Sequence, residues 1–489
     1  MKRRRQNYRL CRSTRSSPLA AWFLAGAWLA FGATATASEP GRKNVVFIVA
    51  DDMNNHLGCY GYDVSTPSLD SLARRGMRFD RAYCQNPLCN PSRVSFLSGL
   101  RPDRTGVYTL TTHAREHLGD WLMLPEYFRK NGYFTVQVGK IFHTGDGFED
   151  PRSWDVEIRE FGKQPPPNEI AKAGKSHGPG EHSIVWQWLK SADEHTPDGM
   201  AARKAVGYME QALADKRPFF LGVGFRRPHA PFAAPQKYFE QYPVEAVKLA
   251  EPVPDGHFAG LVPSAINYRT LSRPKSEMNH REVIAAYRAC TSFMDAQVGV
   301  LLDALQRLGL WDNTIVVFIG DHGYHLGEHG GFWHKMSLFE ESTRVPMLIY
   351  APGIKAAGEP CKRIVEMIDL YPTLVSLCGL PARNGLDGID LSPLLDDPNR
   401  PGKQSAYTVV SRTNDPLANA SQVMDYLGRS VRTDRWRYTE WDGGKRGVEL
   451  YDHNSDPHEW KNLAADAKHA DTVRQLRALL TAERIQAPR

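Results

Sequence analysis

The chain has 489 residues, 42% of them hydrophobic and 24% charged, with a formal net charge of +6. That length accommodates a large core plus a second unit, and those fractions exclude a disordered or low-complexity chain. Seven Lys and Arg residues and no acid fall within residues 1–37, so the remainder nets −1, which removes any electrostatic ground for nucleic-acid binding.

Residues 1–37 combine a basic start (MKRRRQNYRLCRSTR), an apolar run (LAAWFLAGAWLAFGA) and small residues up to Ala37. This is the layout of a secretory signal peptide, and the apolar run is short for a membrane span. An exported protein with no stable span after cleavage is expected. Six cysteines follow, at 59, 84, 89, 290, 361 and 378. They are too sparse for a disulfide scaffold and form no Cys-x-x-Cys pair, though an oxidising compartment leaves room for one or two bridges.

NVVFIVADD (44–52) is a continuous apolar run, the pattern of a strand buried on both faces of a parallel sheet. Thr66-Pro67-Ser68 signals a helix start and Gly76 a stop. Further core strands are predicted at 134–142, 218–225, 313–322 and 345–353, with helices at 124–132 and 292–309 between them. The alternation predicts an α/β fold, a large doubly wound mixed sheet flanked by helices, over residues 41–400. A Pro-, Gly- and Asp-rich stretch at 381–404 marks the boundary. Beyond it, strand and turn patterns and a helix over 471–485, with Val473, Leu476, Leu479 and Leu480 on one face, predict a smaller α+β domain at 401–489.

The candidate chemistry lies at strand ends, where open α/β sheets bind ligands. Asp51 and Asp52 close the first strand, and Asp321-His322 closes another. Adjacent carboxylates repel unless a cation lies between them, although a turn or cap aspartate is the ordinary alternative. Three carboxylates favour calcium or magnesium over zinc, with His322 an unusual ligand for calcium. Glycines 320, 323, 327, 330 and 331 allow close approach of backbone and ligand. Lys140 and His143, then Arg227-Pro228-His229, then Lys335 follow strand ends in the same way. Each alone reads as a solvated charge or a satisfied histidine. Together, around a metal, they suit a tetrahedral anion. Cys89, between Pro87 and Pro91 and four residues before Arg93, could be an activated thiol. A thiol is a poor nucleophile for sulfate or phosphate ester hydrolysis, since its adduct needs a second cleavage, and a structural cysteine leaves the prolines unexplained.

CNPSRVSFLSG (89–99) resembles the sulfatase signature, Cys-x-Pro-Ser-Arg followed by Leu-Thr-Gly, with Ser98 in place of Thr. The Asp-Asp pair, the Gly-Lys of strand 134–142, the Asp-His strand end and ELYDHNSDPHEWKNLA (449–464) match as well, so the resemblance spans about residues 44–465. LGCYG, YFRKNGYFTVQVGKIFH, PFFLGVGFRRPHAPF, DAQVGVLLDALQ and DHGYHLGEHG are most similar to the iduronate-2-sulfatase subgroup, where His322 replaces the Asn of many sulfatases. Segments 148–200 and 230–280 give no clear match. The resemblance implies that Cys89 is converted to formylglycine (3-oxoalanine) by a formylglycine-generating or maturase enzyme reading Cys-x-Pro-x-Arg. It implies one Ca2+, less readily Mg2+, on Asp51, Asp52, Asp321, His322 and modified Cys89. It further implies that Arg93 and His143 hold the aldehyde hydrate, that Lys140 and Lys335 bind sulfate, and that His229 lies in the sulfate site as proton donor to the leaving oxygen. The implied substrate is a sulfated glycan or small sulfate ester, with the 2-O-sulfate of a uronate favoured. Rival readings are a formylglycine-dependent phosphonate or phosphate monoesterase, a choline-sulfatase or arylsulfatase-like enzyme, and a non-catalytic glycan-binding protein.

Overall fold

Side-chain alternation along one strand organises the two cores. The computed structural model describes residues 41–486 except 146, 160–166, 177–183, 267–273, 275 and 416–417, so the expected signal peptide lies outside the described residues. Strand β1 (Asn44–Asp51) is buried along its whole length. Val46, Ile48 and Ala50 enter one apolar cluster and Val45, Phe47 and Val49 another, as the two-residue period requires.

The remaining strands of this nine-stranded sheet are β2 (Met77–Tyr83), β3 (Phe134–Gly139), β4 (Val156–Ile158), β5 (Phe219–Pro228), β6 (Thr314–Gly320), β7 (Arg344–Val345), β8 (Met347–Tyr350) and β9 (Pro360–Glu366). Their order is β7-β2-β8-β6-β1-β5-β3-β4, with β9 paired to β2. β1 runs parallel to β5 and β6, and β3 parallel to β5, while β8 is antiparallel to β6. Helices α1 (Pro67–Arg75), α4 (Pro197–Ala214) and α5 (Glu277–Arg307) fill the first cluster. Helices α2 (Cys89–Ser98), α3 (Leu124–Lys130) and α6 (Leu370–Leu377) fill the second. The doubly wound mixed sheet is therefore present.

β3 stops at Gly139, three residues before the predicted end, because Gly139 adopts φ +79°. A Cβ there would lie 2.1 Å from the Gly224 carbonyl oxygen, and one at Gly224 2.0 Å from the Lys140 oxygen, so paired glycines let β3 and β5 meet where Lys140 emerges. The predicted strand 345–353 is shorter, since Pro346 interrupts the pairing of β7 and β8 with β2. β2 and β9 are not evident in the sequence because Arg78, Asp80, Arg81, Lys362 and Arg363 hide the period of half-buried strands. A small sheet of Ile170–Lys175, Val185–Leu189 and Phe232–Pro235 is likewise unheralded.

Strands β10 (Ser405–Arg412), β11 (Tyr426–Thr433), β12 (Trp436–Trp441) and β13 (Val448–Asp452) form the C-terminal antiparallel sheet, with helix α7 (Ala470–Gln486) against it. Val473, Leu476 and Leu480 pack on that sheet, but Leu479 is 42% exposed, being turned about 100° from Leu480. All six cysteines in the described residues are free thiols. No helix among the described residues is long and apolar enough to cross a membrane.

Candidate active site

Because β1, β3, β5 and β6 are parallel, their carboxyl ends open on one edge of the sheet, and that edge carries the charged residues. Asp51 ends β1 after a bulge that pairs it with Pro228 at the end of β5. Asp52 follows with φ +61°. Its amide donates to Asp321 Oδ1 at 3.0 Å, and the His322 amide donates to the same oxygen at 3.1 Å. Asp321 thus holds both loop ends through the backbone. Glycines 320 and 323 serve this packing rather than a ligand, since Cβ atoms there would lie 2.3 Å from Met53 O and 2.0 Å from Glu341 O.

Helix α2 begins at Cys89, directly after Leu88 in extended conformation. Cys89 Sγ lies 3.2 Å from Lys335 Nζ, 3.3 Å from His322 Nε2 and 3.5 Å from Asp51 Oδ1. Arg93, one turn along and fully buried, donates from Nε to Asp321 Oδ2 and from Nη2 to Asp51 Oδ1, each at 3.1 Å. Its Nη1 donates to the carbonyls of Lys140 and, at 3.0 Å, Ile141, so Arg93 ties three strand ends together. Lys140 Nζ donates to Asp51 Oδ2 at 2.6 Å, and Lys335 Nζ donates to Asp52 Oδ1. His229 Nε2 is 3.8 Å from Asp52 Oδ2 on the more open side, its side chain 30% exposed.

Three carboxylates buried this deeply are tolerable only with matching positive charge. Burial opposes ionisation of Asp51, but Lys140, His229 and Arg93 hold its carboxyl well below the usual range. Burial raises Asp321. His322 Nδ1 donates to the Gly323 carbonyl at 3.0 Å, so Nε2 faces the carboxylates. Burial is the largest influence and disfavours its charge, yet Asp321 and Cys89 together outweigh it and push the imidazole up to about 9. Donor atoms of Asp51, Cys89, Asp321 and His322 all lie within 4.8 Å of one another. This buried acidic and cysteine cluster is compatible with a divalent cation. His229 and His143 are held neutral, the first down at about 4 and the second at about 2, each chiefly by burial.

Residues 43–380 match the family model described as Sulfatase, and residues 327–486 match N-sulphoglucosamine sulphohydrolase, C-terminal. The chain belongs to the sulfatase family. It is a sulfuric ester hydrolase of mixed α/β fold. Iduronate 2-sulfatase of Mus musculus is 32% identical over 521 residues, covering 89% of this chain and 93% of that protein. Among solved structures, a 2-O GAG sulfatase is similar at TM-score 0.70 and 25% identity, over 91% of this chain and 92% of its own. A phosphonate monoester hydrolase from Silicibacter pomeroyi shares the fold, with TM-score 0.76 and 21% identity over 91% and 96% of the two chains.

Of the sulfatase residues expected from sequence, Asp51, Asp52, Cys89, Arg93, Lys140, His229, Asp321, His322 and Lys335 share direct contacts. His143 stands beside them, its ring edge-on to Phe148 at 5.1 Å and its Nδ1 buried without a hydrogen-bond partner. Arg227 is turned away, donating to the carbonyls of Ala233 and His229. Sequence reasoning missed Asp198, at the start of α4. Its carboxylate accepts from the amides of Arg226 and Arg227 at 2.9 Å each and so holds the strand end that precedes His229. The helix-start run Thr196-Pro197-Asp198-Gly199 was the available signal, with Thr196 accepting from the Gly199 amide.

Proposed function

We propose that this sulfatase removes the 2-O-sulfate of a uronate in a sulfated glycan, using a formylglycine at residue 89 and one Ca2+. The observation that carries the reading is the position of Cys89 Sγ, between Lys335, His322 and Asp51 at the convergence of four strand ends. An oxygen on the same Cβ fits that polar surrounding better than a thiol does. The clustered donors of Asp51, Asp321, His322 and residue 89, with Asp52 Oδ1 3.4 Å from His322 Nε2 and the His322 Nδ1–H already spent, fit a hard divalent cation that Asp51, Asp52, Asp321 and His322 would hold. When present, these two groups supply an activated hydrate oxygen as nucleophile and a route to free sulfate without a second attack at sulfur.

The chain's own residues do the rest. Lys140 and Lys335 present ammonium groups beside Asp51 and Asp52 respectively, where they would offset charge growing on the sulfuryl oxygens. Arg93 spends its donors on carboxylates and carbonyls, so its task is to fix the geometry. His143, held neutral with Nδ1 unspent, would hold the hydrate of residue 89 as the sulfatase resemblance implies. His229 is spent on the Ala230 carbonyl through Nδ1, which turns Nε2 toward the leaving oxygen; the negative sulfate ester favours its protonation. Similarity to iduronate 2-sulfatase across 89% of the chain supports the uronate position. The leader pattern of residues 1–37 supports export.

The test is the mass of the tryptic peptide Ala82–Arg93 from the secreted protein, together with turnover of a 2-O-sulfated uronate, choline sulfate and matched aryl sulfate and phosphate. Exchange of one thiol for an aldehyde and preference for the uronate sulfate are expected. A persistent free thiol at residue 89 removes the nucleophile, and faster phosphate turnover assigns the monoesterase reading instead.

A further inference from the structure

The turn after β1 holds a strained backbone position. Asp52 is a non-glycine residue at φ +61°, a conformation that persists only where its surroundings impose it. The surroundings here include a residue from another layer of the fold. Tyr287, on α5 and fully buried, donates its hydroxyl hydrogen to the Asp52 carbonyl at 2.8 Å and accepts from the Asn54 amide at 2.9 Å. One phenol thus closes both ends of the three-residue turn that aims the Asp52 carboxylate.

The ring reaches the other site loops as well. It stacks on Tyr324, two residues after His322, at 5.5 Å and 22°, and meets Phe232, three residues after His229, edge-on at 5.6 Å. Asn54 Nδ2 donates to the Tyr324 carbonyl at 3.0 Å, linking the β1 and β6 loops beneath the same ring. A long helix packed against the sheet supplies a stiff base for these contacts.

We propose that Tyr287 is a positioning residue for the cation site: its hydroxyl locks the left-handed turn at Asp52 and so sets the orientation of that carboxylate. The proposal rests on the divalent-cation reading given above. Tyr287→Phe keeps the ring contacts and deletes only the two hydrogen bonds. Thr291→Val, on the same helix, deletes a buried hydroxyl that donates to the Tyr287 carbonyl and leaves the phenol untouched, so it reports what lost stability alone does.

The measurement is calorimetric titration of the chelator-treated full chain with Ca2+, with kcat and KM for a sulfate ester at low and saturating Ca2+. Tyr287→Phe is expected to weaken Ca2+ binding about tenfold, to lower kcat at limiting Ca2+ and recover it at saturation, with KM unchanged. Thr291→Val is expected to lower the melting temperature while binding Ca2+ as the wild type does. Wild-type Ca2+ affinity in Tyr287→Phe overturns the proposal, as does an equal loss in Thr291→Val. A wild-type chain that binds no divalent cation overturns the cation reading itself, and the positioning role with it.

Discussion

Around Glu366 and around Asp51 the protein buries carboxylates and cations side by side, and the two clusters end up with opposite character. Glu366 accepts from Arg101 at 2.5 and 2.7 Å, from Lys403 at 2.6 Å and from the Tyr407 amide at 2.9 Å. Asp369 accepts from the amides of Glu366 and Ile389 at 2.8 Å each and also pairs with Lys403. With Glu483 also pairing Arg101, three acids meet two bases in one knot, and every oxygen of Glu366 and Asp369 is satisfied. The Asp51 cluster has short bonds only at its rim, from Arg93, Lys140 and Lys335. Toward its centre, Cys89 Sγ to His322 Nε2 is 3.3 Å, and His322 Nε2 lies 3.4 Å from Asp52 and 3.5 Å from Asp321. Those donor atoms are gathered in one small volume. A self-contained set of ion pairs makes a rivet, and donor atoms gathered around one small volume make a site.

The comparison breaks most sharply at Cys89. Cys89→Ser is expected to lower sulfate ester turnover by at least about a thousandfold with the melting temperature unchanged, read by a steady-state assay beside a thermal melt. Retained turnover would mean that the central cluster is not the reacting one. His229→Ala, on the open side, is expected to slow an alkyl sulfate by about 10²–10³-fold and a nitrophenyl sulfate by less than about tenfold, because a good leaving group needs no proton. Equal losses on both substrates would make His229 a binding residue instead. Glu366→Gln is expected to leave turnover per folded molecule unchanged and to cost about 3 kcal/mol of stability by stranding buried cations. A denaturant midpoint close to wild type would show that the knot is not the rivet described here.

Much of this could be read before any coordinates. The apolar run ending in Asp51-Asp52 marked the central strand and the two carboxylates at its end, because a strand buried on both faces has no polar residue until it leaves the sheet. The same logic located Asp321-His322 and Lys140. Strands β2 and β9 stayed hidden because their charged residues break the alternation that would mark half-buried strands. The sheet formed by 170–175, 185–189 and 232–235 stayed hidden because its strands are short and the third is distant in sequence from the other two.

Residue types at strand ends, and the cysteine in its proline-flanked motif, were determined by the sequence alone, since the chemistry resides in the side chains themselves. Which of them share a centre was decided by the parallel pairing of β1 with β5 and β6 and of β3 with β5, which brings positions 51, 140, 229 and 321 to one edge. Asp198 and Tyr287 belong wholly to that second level. Each acts on backbone groups of a loop far away in sequence, and a hydrogen bond to a distant amide leaves no pattern in the residues that make it.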